Sequence, residues 1–275
     1  MVSLLMIVSC NRQKTKSAEA RWQPSGMKVE VKSGGPVIIT SSTSEFRVLP
    51  SGYVQAFLLK DNQKLTLDDP KVGAPADSDF LVQDGTEIHF TLDFDKAKVS
   101  EATGKLGRGK RVEIPAHALA PTGTDIQKTL QVELYDEFPN VLLASTEYKN
   151  AGQMDYRIDQ ATQQQRRLNA AMANAQVQPY DMWSFHGSSY DWGKDDVVKL
   201  GRTFSQPNLM GEEVKGGYGG GIPVVAFWTA SLGEAIGHVE TVPLTVSIPV
   251  KVAKDGRVEA QVSVPAKITL KPGET

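Results

Sequence analysis

At 275 residues, with 40% hydrophobic and 23% charged residues, the chain is long enough to bury a full core and has ordinary globular composition rather than a disordered one. A net charge of −2 leaves no basic footprint for nucleic acid. No interior apolar run approaches the roughly 20 residues that a membrane span needs.

The first landmark is the only cysteine. Cys10 closes the apolar run VSLLMIV through Ile7, Val8 and Ser9, and the polar stretch NRQKTKSAEA follows it. That order has the form of a bacterial lipobox, in which the chain is cleaved before the cysteine and the cysteine carries the lipid. Residues 1–26 are therefore expected to be a lipoprotein signal and tether, with the protein lipid-anchored in the periplasm or at the outer membrane. The basic residues that usually precede such a run are absent, and an N-terminal segment with an incidental thiol is the alternative. A mature domain without a second cysteine has no intramolecular disulfide, so packing must stabilise it.

From Met27 onward, strand-like runs alternate with turn signals: MKVEVKSGGP, PVIITSS, EFRVLPSG, YVQAFLLKDN, TEIHFTLDF, KTLQVELYDEFP and NVLLASTEYKN. Short β-rich segments at this spacing predict an all-β domain over 27–275. The Gly- and Pro-rich stretch 104–125 predicts one strand with a loop on either side. Residues 159–176, DQATQQQRRLNAAMANAQ, lack β-branched residues beyond Thr162, and with Ile158 just ahead they place Ile158, Ala161, Leu168, Met172 and Ala175 near helical spacing, which predicts a helical excursion. Near the C-terminus, Val242, Leu244, Val246, Ile248 and Val250 alternate on one face, as do Val258, Ala260, Val262 and Val264. The intervening Asp255-Gly256 suits a hairpin turn. Two antiparallel layers around one core follow.

Two segments could carry chemistry. Residues 179–196, PYDMWSFHGSSYDWGKDD, crowd Tyr180, Trp183, Phe185, Tyr190 and Trp192 among Asp181, His186, Asp191, Asp195 and Asp196. Aromatic faces that stack on the apolar side of a sugar ring, with carboxylates for its hydroxyls, have this composition. Trp183 and Phe185 as core residues, with aspartates capping turns, is the plainer alternative. The second segment is GGYGGGIPVVAFW, residues 216–228. No frame through its glycines gives G-x-G-x-x-G and no GK[ST] follows, so the phosphate-loop reading fails. Pro223 and the β-branched residues after it predict that the loop enters a strand, either lying flat beside a sugar or forming a tight turn that leaves Trp228 in the core. The sugar reading assigns substrate binding to Asp191, Trp192, Tyr218, Gly220 and Trp228.

The adjacent pairs Asp68-Asp69, Asp136-Glu137, Asp195-Asp196 and Glu212-Glu213 point to opposite faces of a strand and do not make a catalytic pair. His238 with Glu240 is a weak two-ligand set for a metal. Neither a cofactor nor a metal is called for, and no catalytic residue stands out.

The succession EFPNVLLASTEYKN, MWSFHGSSYDWG, NLMGE, GGGIPVVAFW, GEAIGHVE and LKPGE resembles the N-terminal β-supersandwich domain of bacterial alpha-galactosidases of glycoside hydrolase family 36. It runs from about Phe138 to Thr275. The resemblance implies a galactose-mutarotase-like, two-layer antiparallel supersandwich that packs on a (β/α)8 barrel, walls its sugar pocket and builds oligomer contacts. In that family the barrel holds the aspartate nucleophile and the aspartate acid/base, which have no counterpart in these residues. The chain ends at LKPGET, where the resemblance would have the barrel begin, so a fragment or truncated product inactive by itself is expected. Its partners would be an alpha-galactoside or related glycan and the barrel, with the membrane reached only through the lipid. A free-standing carbohydrate-binding or scaffolding lipoprotein is the competing class.

Overall fold

The computed structural model describes residues 2–8, 25–74, 77, 79–187, 196–210, 222–239 and 246–275. The domain is an all-β sandwich of antiparallel sheets, with strands numbered in chain order.

A five-stranded meander comes first: β2 (Lys28–Val31), β3 (Val37–Thr40), β4 (Ser44–Val48), β5 (Val54–Lys60) and β6 (Gln63–Leu65), paired in that order. Alternation builds it: Val37 and Ile39, Phe46 and Val48, and Val54, Ala56 and Leu58 all face the interior. An eight-stranded sheet follows the order β17 (Ser205–Gln206), β22 (Val250–Val252), β23 (Val258–Leu270), β14 (Tyr156–Leu168), β7 (Phe80–Gln83) and β8 (Thr86–His89). Two short strands extend it, β21 (Val246–Ser247) on β23 and β18 (Leu209–Met210) on β21.

The ten-stranded sheet runs β10 (Lys98–Gly104), β11 (Gly107–Leu119), β12 (Asp125–Tyr135), β13 (Phe138–Asn150), β1 (Val2–Val8), β20 (Gly233–Val239), β19 (Val224–Trp228), β15 (Trp183–His186) and β16 (Val197–Lys199). The tenth strand, β9 (Thr91–Leu92), pairs with β11. The apolar run ahead of Cys10 thus forms a central strand here, while Cys10 itself lies outside the described residues. Residues from all three sheets share one apolar core, including Phe46, Leu81, Ile114, Leu130, Phe227 and Val262.

The strand rhythm read from the sequence holds through Asn150, and the single strand expected within 104–125 is β11. At the C-terminus, Val246, Ile248 and Val250 and the set Val258, Ala260, Val262 and Val264 are buried as expected, while Val242 and Leu244 lie outside the described residues. Between them Gly256 takes φ +90, and its N–H donates to the Ala253 carbonyl, as a tight turn needs.

The helical excursion over 159–176 is corrected. Residues up to Leu168 belong to β14, paired in antiparallel fashion with β23 and β7, and only Ala170–Met172 form a 3-10 turn, capped by the Asn169 side chain on the Ala171 N–H. The run QQQRR has good helix formers, but the Arg166 side chain has interior partners, Asp68, Glu234 and the Val54 carbonyl, that are reached from a strand in this place. The register shifts between Gln163 and Arg166, and Gln164 takes φ +50 with its N–H donating to Asp79 at 2.9 Å. This bulge turns Arg166 inward and buries it completely. Tertiary pairing overrides propensity here.

Arg166→Met leaves the buried Asp68 carboxylate without a counter-charge and removes the partner of the Glu234 carboxyl group. A loss of about 3–5 kcal/mol in urea unfolding is expected, whereas Arg157→Met, on the exposed part of the same strand, should change stability by less than about 1 kcal/mol.

Candidate functional site

Strands β15, β19 and β20 lie side by side, and their alternation separates two faces. Ser184, His186, Val225, Phe227, Glu234 and Ile236 point into the sandwich and are buried. On the outer face stand Trp183, Phe185, Ala226 and Trp228. Trp183 is directly opposite Trp228 in the ladder, and Trp228 is opposite Gly233. A Cβ at Gly233 would sit 3.2 Å from the Trp228 Cβ, so the missing side chain leaves room beside the indole. Trp183 is 45% exposed and Trp228 half-buried. The pair forms an aromatic surface rather than part of the core, whose member in this strand is Phe227.

The turn between β19 and β20 is closed by the Thr229 N–H donating to the Leu232 carbonyl at 2.8 Å. Around this hairpin end lies a cavity of about 470 Å³, lined by residues 226–235 and, from the meander, by Lys60. A mixed lining that includes Trp228, with the Lys60 ammonium group among it, suits a ligand having both an apolar face and polar edges.

Beneath this hairpin is a buried ionic network. Arg166 Nη2 donates to Asp68 at 2.6 Å and pairs with Glu234 at 2.5 Å, and its other terminal nitrogen donates to the Val54 carbonyl. The remaining acceptor capacity of Asp68 goes to the Tyr53 hydroxyl at 2.6 Å, the Ala56 N–H at 2.6 Å and the Thr66 hydroxyl at 3.3 Å. The Arg166 guanidinium also lies 4.9 Å from the Tyr53 ring centroid. Two carboxylates therefore share one guanidinium in a dry interior. Burial pushes the Glu234 carboxyl up to about 8, against the lowering effect of Arg166 and with a raising contribution from Asp68. Burial alone would lower the Arg166 guanidinium, but the two carboxylates hold it above its ordinary value.

Other polar residues have structural partners. Asp69 accepts from Asn169 at 2.9 Å and faces Arg257 at 3.5 Å, so its partners differ from those of Asp68; the two lie outside the named strands, Asp68 in an isolated bridge to Leu168. Lys128 pairs with Asp79 at 3.1 Å in the core. His186 is hydrogen-bonded to Asn208 at 2.8 Å, and burial lowers its ring below the usual histidine range. Among the described residues no group of three or more His, Cys, Asp or Glu could hold a metal.

Of the sugar-binding residues expected from sequence, Trp228 lines the cavity. Asp191, Trp192, Tyr218 and Gly220 lie outside the described residues, as do Asp195 and the glycine loop as far as Gly221. Trp183, which the plainer alternative put in the core, is on the surface. Glu234 and Lys60 were missed. A lone glutamate in the otherwise apolar GEAIGHV is the one signal that could have found Glu234.

Comparison with known proteins finds no matching family model and no curated protein with a significant match.

Because its folded carboxyl titrates above the ordinary glutamate value, Glu234 binds a proton in the folded state that the unfolded chain has already lost. Its contribution is complete below the ordinary value near 4.5, declines as pH rises, and is gone above about 8. Chemical unfolding of the wild type and Glu234→Gln at pH 5 and pH 8.5 should show the variant gaining on the wild type at the higher pH. The size of this relative gain is on the order of a few kcal/mol, since each pKa unit is worth ~1.4 kcal/mol. Parallel stability curves would show that Glu234 is already ionised at pH 5.

Proposed function

We propose that the chain is a non-catalytic, carbohydrate-recognising β-sandwich domain of an alpha-galactosidase-like glycoside hydrolase, which walls the sugar pocket of a (β/α)8 barrel. One observation carries the reading. Three of the motifs of the resemblance, MWSFH, IPVVAFW and GEAIGHV, lie within residues 182–239 and supply the three adjacent strands β15, β19 and β20. Those strands hold the Trp183–Trp228 pair, and the hairpin of β19 and β20 lines the cavity. Stacking on Trp183 and Trp228 would fix a pyranose by its apolar face, leaving the ring hydroxyls for Lys60 and backbone groups of the hairpin turn.

Hydrolysis by the domain itself is not part of this reading. A retaining glycosidase needs a nucleophilic carboxylate and a proton-donating carboxyl group on either side of a substrate. Asp68 and Glu234 converge, but onto Arg166, and both are buried. One wall of a pocket also gives few simultaneous contacts, so free galactose should bind with a Kd on the order of millimolar.

Calorimetric titration with galactose should show that weak binding, reduced about tenfold by Trp228→Ala through loss of one stacking face, with no detectable release from an aryl alpha-galactoside. Turnover that vanishes on changing a single carboxylate among Asp191, Asp195 and Asp196 would make the sandwich itself the enzyme.

The localisation proposed with it is a lipid anchor at Cys10 in the periplasm or outer membrane. Expressed in a bacterium, the protein should then fractionate with membranes, and Cys10→Ala should release it. A soluble product from the unmodified gene would count against the anchor.

A further inference from the structure

The ten-stranded sheet has a single join. Strand β1 pairs with β13 from Val2↔Ser145 to Met6↔Val141 and with β20 from Val2↔Val239 to Val8↔Gly233, antiparallel on both sides. Among the described residues β13 and β20 have no pairing with each other; their other partners are β12 and β19. Both run antiparallel to β1, so they run parallel to each other, one strand's width of about 10 Å apart. Without β1 the sheet would be two pieces, each ending in a long row of backbone donors and acceptors. Such edges template the addition of a strand.

The slot has a defined chemistry. On the interior face its walls are Leu142 and Ala144 of β13 and Ile236 and His238 of β20, all buried. The register puts Ser3 level with Ala144 and His238, Leu5 level with Leu142 and Ile236, and Ile7 level with Glu234. On the opposite face the β20 wall is Gly233, Ala235 and Gly237, which offers little side-chain obstruction. An uncharged strand with apolar residues at alternate positions matches these rows, and VSLLMIV has no charged residue and no proline. Residues 9–27 separate it in sequence from β2, so β1 is held in the sheet by this ladder rather than by a tight turn.

We propose that the gap between β13 and β20 is a strand-acceptor slot: β1 fills it in the intact chain, and once the segment ahead of Cys10 is removed the slot binds an extended, uncharged apolar heptapeptide in trans. The slot is inferred from the ladder and stands whether or not the domain recognises sugars; that Cys10 is the place of cleavage rests on the proposed lipid anchor. Cleavage at Cys10 would be the event that empties the slot and turns a structural join into a binding site.

The test uses the full chain with a specific protease site placed in the polar stretch between residues 11 and 24. After cutting, the N-terminal peptide should co-elute with the folded body. A fluorescent VSLLMIV peptide should replace it in a saturable manner, competed by its unlabelled form. A peptide with Leu5→Pro, which lacks one ladder donor, should compete at least about tenfold less well. Loss of the peptide from a body that stays folded and takes up no fluorescent peptide would overturn the proposal, since β13 and β20 would then have closed on each other. Hydrogen exchange on the intact, unmodified chain decides the matter independently, including for a cut body that precipitates. Amides of Ser3–Val8 should exchange at least ~100-fold more slowly than in the free peptide, and exchange at the free-peptide rate would sink the slot.

Discussion

Arg166 is the point at which the three sheets are tied together. It projects from β14 of the eight-stranded sheet, binds the Val54 carbonyl of the meander, shares Asp68 with Tyr53 and Ala56, and reaches Glu234 on β20 of the ten-stranded sheet. A guanidinium can do this because its donors fan out in a rigid plane; an ammonium at the same place would hold fewer fixed directions. The network is a poor source of net stability, because each buried charge has lost its water. What it provides is position. A shift of β14 by one residue would put Arg166 on the solvent side and leave Asp68 and Glu234 unneutralised, so the register and the bulge at Gln164 are fixed by the cost of every alternative.

The same network reaches the candidate ligand surface. Glu234 and its ladder partner Phe227 lie on the interior side of the hairpin whose outer side presents Ala226, Ala235 and Trp228. The hairpin cannot tilt toward or away from a ligand without moving Glu234 against Arg166. An ordered core beneath a flat aromatic surface lowers the entropy lost when a ring stacks on it, which suits a domain that supplies only one wall of a pocket. A proton on Glu234 relieves the charge excess of two carboxylates on one guanidinium.

Sequence alone made the β rhythm legible because a half-buried strand writes its burial directly as alternation: Val258, Ala260, Val262 and Val264 could be read without any knowledge of the neighbouring strands. The run QQQRR could not. Its residues are helix formers on a surface, and their place in a strand comes from Asp79, Asp68 and Glu234, contributed by chain positions 68 to 98 residues away. Lys60 was invisible for a similar reason, since only the folding of the meander brings it to the hairpin of β19 and β20, far along the chain. The aromatic face was half legible: residue types in 179–228 pointed to a sugar surface, but which tryptophans face outward depends on strand phase, and the ladder gives that role to Trp183 and Trp228.

The N-terminal run shows a different kind of ambiguity. Seven uncharged residues, apolar but for Ser3, suit both the apolar part of a secretory signal and a central strand, because both environments exclude water and both accept an uncharged, largely apolar segment. The two roles are exclusive at any one moment, yet they can follow one another in a single chain. A segment engaged by the secretion machinery cannot be in the sheet, and a sheet completed by β1 hides the segment between β13 and β20. Folding of the body before export would thus compete with recognition of the signal. The meander of β11, β12 and β13, strands of 11 to 13 residues, can pair before β1 joins it, whereas β20 follows only after β13 has ended and several more strands have been made. The join made by β1 therefore closes only after β20, its later-made neighbour, has been synthesised, so the N-terminal run stays unpaired on that side while the body is being made.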